Sequence, residues 1–151
     1  FAPYHYLTAS LSRSARCFGL FLEGVPHPVA FVGTLHRPHP RVRDITGISR
    51  IVVLPDYQGL GLSFVLSETI GAAYRAIGRR FHNYPAHPPY VRALSRSKSW
   101  RMVKRAGTFS PRAGRSSGVG GFGGRPCAVF CYSGESMDRD EAVRLLQVGG
   151  K

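Results

Sequence analysis

Short strand-like segments and longer helix-like segments alternate along the chain. Aromatic and aliphatic residues dominate two neighbouring runs, Arg16 to Leu22 and His27 to Leu35, which the turn residues Glu23 to Pro26 separate. This pattern predicts an antiparallel hairpin. After a proline-containing loop from His36 to Gly47, a near-continuous apolar run from Ile48 to Leu54 predicts a buried central strand.

The second half of the chain predicts a long amphipathic helix from Leu62 to Gly78, because its apolar residues recur with helical spacing. Four shorter elements and an extended segment complete the prediction. They are a strand from Arg79 to Tyr84, a helix from Pro88 to Ser97, an extended segment from Trp100 to Val103, a strand from Pro126 to Tyr132 and a helix from Asp138 to Val148.

This order of elements predicts an α/β protein (an α+β arrangement with a mixed sheet) that forms one domain over residues 1–151. Three parts of the domain are set apart by composition. They are an N-terminal segment at residues 1–15, a flexible loop rich in glycine and arginine at residues 108–125, and a C-terminal helix and tail at residues 136–151.

The junction between the central strand and the long helix predicts a phosphate site. A helix that begins directly after a turn leaves backbone N–H groups without intrahelical partners, and its dipole favours an anion there. Gly59 and Gly61 let a ligand approach the backbone closely. The chain has no Gly-Lys-Ser/Thr triplet, and Phe64 occupies the third glycine position of a dinucleotide motif. An ordinary strand–helix turn without a ligand is the alternative.

The charge of the chain favours a polyanionic partner. The formal net charge is +13, and arginine outnumbers lysine 18 to 3. Arginine makes planar, bidentate contacts with phosphate, so nucleic acid is the simplest partner, DNA more than RNA. A solvated basic surface without a partner is the alternative. The predicted nucleic-acid contacts are Arg92, Arg96, Lys98, Arg101, Lys104, Arg105 and Arg115.

Composition excludes some classes of protein. No apolar run approaches the roughly 20 residues that a membrane helix needs, so we expect no membrane association. The histidines and cysteines lack metal-ligand spacing, so we expect no metal. We interpret the three cysteines as buried thiols, which favours a reducing, cytoplasmic location. A homodimer stays open as an alternative to a monomer.

The segment from Gln58 to Ser63 resembles the pyrophosphate loop of the GNAT acyltransferase superfamily, Gln-x-x-Gly-x-Gly/Ala, with Gly61 and Ser63 in the two small-residue positions. The resemblance extends from about Arg16 to Tyr132 and implies a GNAT-like central mixed sheet with splayed middle strands and flanking helices. It also implies acetyl-CoA or another acyl-CoA as the cofactor. The implied cofactor contacts are the backbone of Val52, Val53 and Leu54 and the loop residues Gln58, Gly59, Leu60, Gly61, Leu62 and Ser63.

Other motifs resemble a phage- and mobile-element-associated GNAT subgroup that is similar to Mom-type DNA-modifying proteins. They are Phe1-x-Pro-Tyr-His-Tyr-Leu, Ser49 to Pro55, His87-Pro88, and Leu94-Ser95-Arg96-Ser97 followed by Trp100-Arg101. This resemblance implies an N-acyltransferase that acts on a nucleic-acid acceptor such as a DNA base. Two alternatives stay open. One is acetylation of a protein, an aminoacyl-tRNA or a small amine, and the other is a basic nucleic-acid-binding module without catalysis.

The chain departs from the GNAT pattern at two catalytic positions. Many GNAT enzymes use a glutamate near the central strands as a base and a tyrosine on the following helix as an acid. The segment from Ile48 to Leu54 contains no acid, and alignment on Trp100 puts Ser95 at the tyrosine position. Candidates must therefore come from elsewhere as well, and histidine has a suitable pKa for a base. The candidates are His5, Tyr6, His87, Tyr90 and Ser95.

Overall fold

The computed structural model describes Phe1, residues 11–107 and residues 127–147. These residues form six strands, three helices and a 3₁₀ turn at Pro55–Tyr57. The strands are β1 (Arg16–Leu20), β2 (Ala30–His36), β3 (Ile45–Val53), β4 (Arg80–Asn83), β5 (Trp100–Lys104) and β6 (Val129–Tyr132). The helices are α1 (Leu62–Ala76), α2 (Pro88–Arg96) and α3 (Arg139–Gln147).

The six strands form one mixed sheet in the order β1-β2-β3-β4-β6-β5. All neighbours are antiparallel except β3 and β4, which are parallel and are joined through α1. Parallel neighbours need a crossover connection, which α1 supplies. The predicted α/β class and the hairpin are therefore confirmed. The prediction of a single crossover was wrong, because β4 and β5 also run parallel to each other, on either side of β6, and are joined through α2.

The loop predicted from His36 to Gly47 was wrong at its end. Ile45, Thr46 and Gly47 already belong to β3, where they pair with the three residues from Arg80 to His82. Asp44, with a φ of 59°, turns the chain into this strand. The glycine/arginine loop at 108–125 lies outside the described residues, as does most of the N-terminal segment at 1–15 and the end of the C-terminal tail at 136–151.

The core lies between one face of the sheet and α1. Tyr74 of α1 stacks on Phe81 of β4 with ring centroids 5.3 Å apart, and its hydroxyl lies 3.0 Å from the hydroxyl of Thr34. A Cβ added at Gly71 would lie 2.7 Å from the ring of Tyr132, so glycine permits this close approach of α1 to β6. Among the described residues, no helix is long and apolar enough to cross a membrane.

A β-bulge at Ser49 divides β3 into two parts. Arg50 pairs with Gly33 and Ile48 pairs with Thr34, so Ser49 is the extra residue, and its hydroxyl donates to the Gly33 carbonyl at 2.9 Å. A bulge bends its strand and increases the local twist. The pairing between β3 and β4 ends just before it, at Gly47 and His82. From Ile48 onward β3 stays paired with β2 but no longer pairs with β4. We call the gap between β3 and β4 the fork.

Replacement of Ser49 by alanine is expected to lower the free energy of unfolding by about 1 kcal/mol, because the bulge loses a hydrogen bond to a backbone carbonyl. Ser95→Ala is the matched control. The Ser95 hydroxyl also donates to a backbone carbonyl, that of Val91, but on the exposed face of a helix where alanine is favoured. Urea unfolding of both variants measures the difference, and equal stability losses would show that the Ser49 hydroxyl does not support the bulge.

Candidate active site

The turn between β3 and α1 is shaped by two glycines and one side-chain hydrogen bond. Gly59 and Gly61 have φ values of 83° and 77°, a conformation that side chains disfavour. An added Cβ would meet no atom within 4 Å at either position. Gln58 Nε2 donates to the Val53 carbonyl at 3.0 Å and thus ties the turn to the end of β3.

The first turn of α1 presents backbone donors at this point. The first hydrogen bonds of the helix run from the N–H groups of Phe64 and Val65 to the Gly61 carbonyl. The N–H groups of Leu62 and Ser63 precede them and have no acceptor within the helix. Gly61 supplies no capping side chain, and the first turn contains no acidic residue. The predicted phosphate turn therefore has the geometry and the electrostatics of an anion site.

The hydrogen-bond phase of β3 determines which backbone groups face the fork. Leu54 N–H donates to the Val29 carbonyl of the segment before β2 at 2.9 Å, and its carbonyl accepts from Tyr57 N–H. Because bonding alternates along an antiparallel ladder, Val52 is also bonded toward β2, while Ile51 and Val53 direct their backbone groups toward the fork. The geometry thus favours Val53 among the three predicted backbone contacts, and it adds Ile51.

Tyr90 borders the fork on the α1 side of the sheet. Its ring packs edge-on against Phe64 at a centroid distance of 5.4 Å, and its hydroxyl accepts a hydrogen bond from Asn83 Nδ2 at 3.0 Å. Burial raises the pKa of Tyr90, and hydrogen bonds to Ser67 and Asn83 oppose this effect. The phenol is consequently neutral over the physiological range and can donate a proton.

His82 and Tyr84 border the fork on the opposite face, since side chains alternate along β4. The hydroxyl of Tyr84 lies 3.5 Å from His82 Nδ1. The guanidinium of Arg37 lies over the Tyr84 ring, 5.3 Å from its centroid. A Cβ at Gly47 would lie 2.5 Å from this ring, so the absence of a side chain at Gly47 lets Tyr84 pack against the last β3–β4 pair.

The surroundings of His82 favour the neutral imidazole. Burial lowers the pKa of His82 from its ordinary value of 6.5, and the positive charges of Arg80 and His39 lower it further. A neutral imidazole at pH 7 can accept a proton from a substrate. The sequence analysis missed His82, although the alternation of Phe81, His82, Asn83 and Tyr84 next to the divergence of β3 and β4 could have indicated it.

The other predicted catalytic residues do not share these positions. His87 is the exposed N-cap residue of α2 and makes no capping bond with its side chain. Ser95 is exposed, and its hydroxyl donates to the Val91 carbonyl at 2.8 Å. His5 and Tyr6 lie outside the described residues. The structure thus brings Tyr90 to the fork but turns the Ser95 hydroxyl toward its own helix.

The predicted nucleic-acid contacts are distributed over several surfaces. Arg92 and Arg96 lie on the exposed face of α2, and Lys98 borders a cavity that also contains Glu68. Arg105 is exposed next to the end of β5, and Arg115 lies outside the described residues. Arg101 and Lys104 line a cavity of about 740 Å³ on the sheet face opposite α1, which we call the basic cavity. Its lining includes Arg37, His39, Val42, Ile45, Arg80, His82, Tyr84, Arg101, Val103, Lys104, Val129 and Cys131.

The described part of the chain contains no group of three or more histidine, cysteine, aspartate or glutamate side chains that could hold a metal ion. The prediction of buried thiols was wrong for Cys17, which is exposed, because it lies near the end of the edge strand β1. Cys127 and Cys131 are partly buried.

Sequence comparisons and structure comparisons differ in what they find. No protein-family model matches the chain, and no curated protein matches its sequence. Several solved acetyltransferases match its structure. The ribosomal-protein-S18-alanine N-acetyltransferase from Escherichia coli has a TM-score of 0.51 and 22% sequence identity, and the match covers 84% of this chain and 73% of that one.

Two Bacillus proteins match with higher TM-scores. The IAA acetyltransferase from Bacillus cereus has a TM-score of 0.56 and 13% identity over 80% of this chain and 78% of that chain. An acetyltransferase from Bacillus subtilis, solved in complex with CoA, has a TM-score of 0.58 and 12% identity over 80% and 77%. The fold is that of the GNAT acetyltransferases. At these identities the likeness establishes the fold alone. The splayed central strands that the loop motif implied are seen in the sheet itself, where the pairing of β3 with β4 ends at Gly47 and His82.

Proposed function

We propose that this chain with a GNAT fold is an acyl-CoA-dependent N-acyltransferase and that acetyl-CoA is the donor. The observation that carries the proposal is the continuity of two features along β3. The backbone of Ile51 and the N–H group of Val53 face the fork, and the same strand leads directly into the anion-binding turn at Gly59 and Gly61. A ligand with an extended amide-containing arm and a pyrophosphate matches both features at once.

The donor would occupy these features in the following way. The N–H groups of the turn and of the first turn of α1 would bind the pyrophosphate. The amides of the pantetheine arm would pair with the backbone of Ile51 and with the N–H group of Val53, much as an added strand pairs with a sheet edge. Residues 48–53 span roughly 20 Å of extended strand, which suits an extended arm. The thioester would then lie at the narrow end of the fork, between Asn83 and His82.

Acyl transfer at this position needs one proton acceptor and one proton donor. The acceptor nitrogen attacks the thioester carbonyl carbon, the new C–N bond forms, and the C–S bond breaks. With its Nδ1–H donated to the Tyr84 hydroxyl oxygen, His82 would take the proton of the amine on Nε2. Tyr90 would give its hydroxyl proton to the departing thiolate. The products are an amide and CoA with a free thiol.

We propose a nucleic-acid acceptor, such as a base in DNA, as the Mom-like resemblance implies. The net charge of +13 and the basic cavity next to His82 support this proposal. A base inside a duplex would have to be flipped out before it could reach the fork. A protein amine is the second candidate, because the name of the Escherichia coli neighbour specifies an alanine of ribosomal protein S18. A phage origin and a cytoplasmic location stay predictions.

Gly61→Glu is expected to weaken acetyl-CoA binding at least about 100-fold, since it places a carboxylate where the pyrophosphate would lie. Gly78→Glu is the matched control. Gly78 has a φ of 76°, close to that of Gly61, an added Cβ there would also meet no atom within 4 Å, and it lies beyond the other end of α1. Isothermal titration calorimetry should show wild-type affinity for Gly78→Glu. An equal loss in both variants would mean that backbone strain, and not the anion site, is responsible.

Expression of the intact chain in bacteria is expected to produce a heavier nucleoside in DNA or tRNA. Mass spectrometry of separately digested DNA and tRNA would detect it, and the mass increase would identify the acyl group. Cells that express Gly61→Glu provide the inactive control, and Gly78→Glu the active one. A product absent from both nucleic acids but present on a protein would assign the activity to the second candidate.

His82→Gln is expected to lower the turnover of acetyl transfer roughly 100- to 10,000-fold while acetyl-CoA affinity changes little, because general-base catalysis contributes on this scale. Wild-type activity should fall as pH drops through the pKa of His82, below 6.5, since only the neutral ring accepts a proton. The variant should lack this acidic limb. Transfer of labelled acetyl groups to single-stranded DNA and tRNA provides the assay.

Two further variants test the roles of Tyr90 and His87 in the same assay. Tyr90→Phe should lower turnover and leave acetyl-CoA affinity near that of the wild type, because only the hydroxyl is lost. His87→Gln is the matched histidine control and should retain turnover. A loss of turnover in His87→Gln with normal activity in His82→Gln would move the base to the start of α2.

A further inference from the structure

We propose that the basic cavity is the acceptor site and that it recognises the phosphate of a nucleotide, either free or within a strand, with Arg80, Arg101 and Lys104. This inference rests on the proposed function and deepens it, because it names the surface and the chemical group by which the acceptor is held. It also separates these residues from the other basic residues of the chain.

The charges around the cavity are of one sign. Its cationic side chains come from three separate segments: Arg37 after β2, Arg80 on β4, and Arg101 and Lys104 on β5. None of the described lining residues is acidic. These positive charges affect the pKa values of two neighbouring groups. Arg80 lowers the pKa of His82. Arg101 and Arg80 oppose the increase that burial causes in the pKa of Cys131. An anion entering the cavity would relieve this accumulation of positive charge.

The remaining lining suits a flat, partly apolar group next to that anion. Val42, Ile45, Val103 and Val129 contribute aliphatic surface, and the rings of His82 and Tyr84 contribute aromatic surface. The volume of about 740 Å³ lies in the range of small-molecule sites. Nucleobases commonly bind on such aromatic and aliphatic surfaces, with the phosphate held by arginine.

Arg37 has a positioning role that separates it from the other cations. It is half-buried, its guanidinium covers the Tyr84 ring, and its Nη2 lies 3.5 Å from the Ile48 carbonyl as a donor. Arg80, Arg101 and Lys104 are exposed, so their charged groups reach solvent and can turn toward a phosphate. The phosphate is therefore assigned to these three side chains.

The position of the cavity connects phosphate recognition with the chemistry. Arg80 and His82 lie two residues apart on the same face of β4, roughly 7 Å along the strand. His82 is in the last residue pair before the fork. A nucleotide whose phosphate contacts Arg80 could thus place its base beside His82, where the thioester would be attacked.

The test compares two double variants that remove the same charge. Arg80→Gln/Arg101→Gln empties the cavity of two cations, whereas Arg92→Gln/Arg96→Gln removes two exposed arginines of α2 that do not line it. Calorimetry with dAMP and with deoxyadenosine, in saturating CoA so that the donor site is filled, measures the phosphate contribution. Fluorescence anisotropy with a labelled single-stranded DNA octamer measures strand binding at several salt concentrations.

The wild type should bind dAMP at least tenfold more tightly than deoxyadenosine. The cavity variant should lose roughly tenfold or more of the dAMP affinity, as expected when charged hydrogen bonds are lost, and the octamer should show a smaller salt dependence. The α2 variant should change dAMP affinity less than twofold. Tighter binding of the octamer than of dAMP would identify a strand as the source of the phosphate, and equal binding would identify a free nucleotide.

Equal affinity for dAMP and deoxyadenosine would overturn the proposal, as would equal losses in the two double variants. Circular dichroism confirms that each variant is folded. A titration with acetyl-CoA alone tests the acyltransferase proposal separately from the nucleotide-site proposal, because neither double variant alters the turn at Gly59 and Gly61. Nucleotide binding without acetyl-CoA binding would retain the site and refute the acyltransferase function.

Discussion

The functional architecture depends on the point where β3 stops pairing with β4. The extra residue Ser49 interrupts the β3 ladder two residues after the last β3–β4 pair, and its hydroxyl donates to the Gly33 carbonyl that faces the bulge. The bend that follows leaves a backbone edge of β3 that does not pair with β4, and such an edge needs other hydrogen-bond partners, of which Gln58 Nε2 supplies one to the Val53 carbonyl. An acyl-CoA arm would supply those partners, so the opening in the sheet and the proposed cofactor explain each other.

The two faces of β4 carry different polar groups at the narrow end of the fork. Asn83 points toward the helices and holds the Tyr90 hydroxyl, whereas His82 points away from them and contacts Tyr84. Burial has opposite consequences for the two groups, because it raises the pKa of the phenol and lowers the pKa of the imidazole. Both therefore remain neutral near pH 7, which suits the roles proposed for them, Tyr90 as the proton donor and His82 as the proton acceptor. The period of two along a strand provides this separation without any additional element.

Much of the fold and part of the site follow from the sequence. The apolar run ending at Leu54, the glycines at 59 and 61, and the helical spacing after them are local signals, and they located the turn correctly. The fork residues were missed because they depend on pairing between distant segments. The bulge at Ser49 leaves no mark in hydrophobic periodicity, and the orientation of His82 follows from which face α1 covers. The basic residues are likewise distributed between the basic cavity and the exposed face of α2. This distribution depends on which face of each strand or helix a residue occupies, and composition does not encode it.

The most direct measurement of the central claim is the response of backbone amides to CoA in a ¹⁵N-labelled sample. The account predicts large chemical-shift changes for the five residues from Gly59 to Ser63 and for Ile51 and Val53, whose N–H groups face the anion site and the fork. Residues of β1, at the far edge of the sheet, should not respond. Binding that perturbs β1 and leaves the turn unchanged, or no binding at all, would contradict the account.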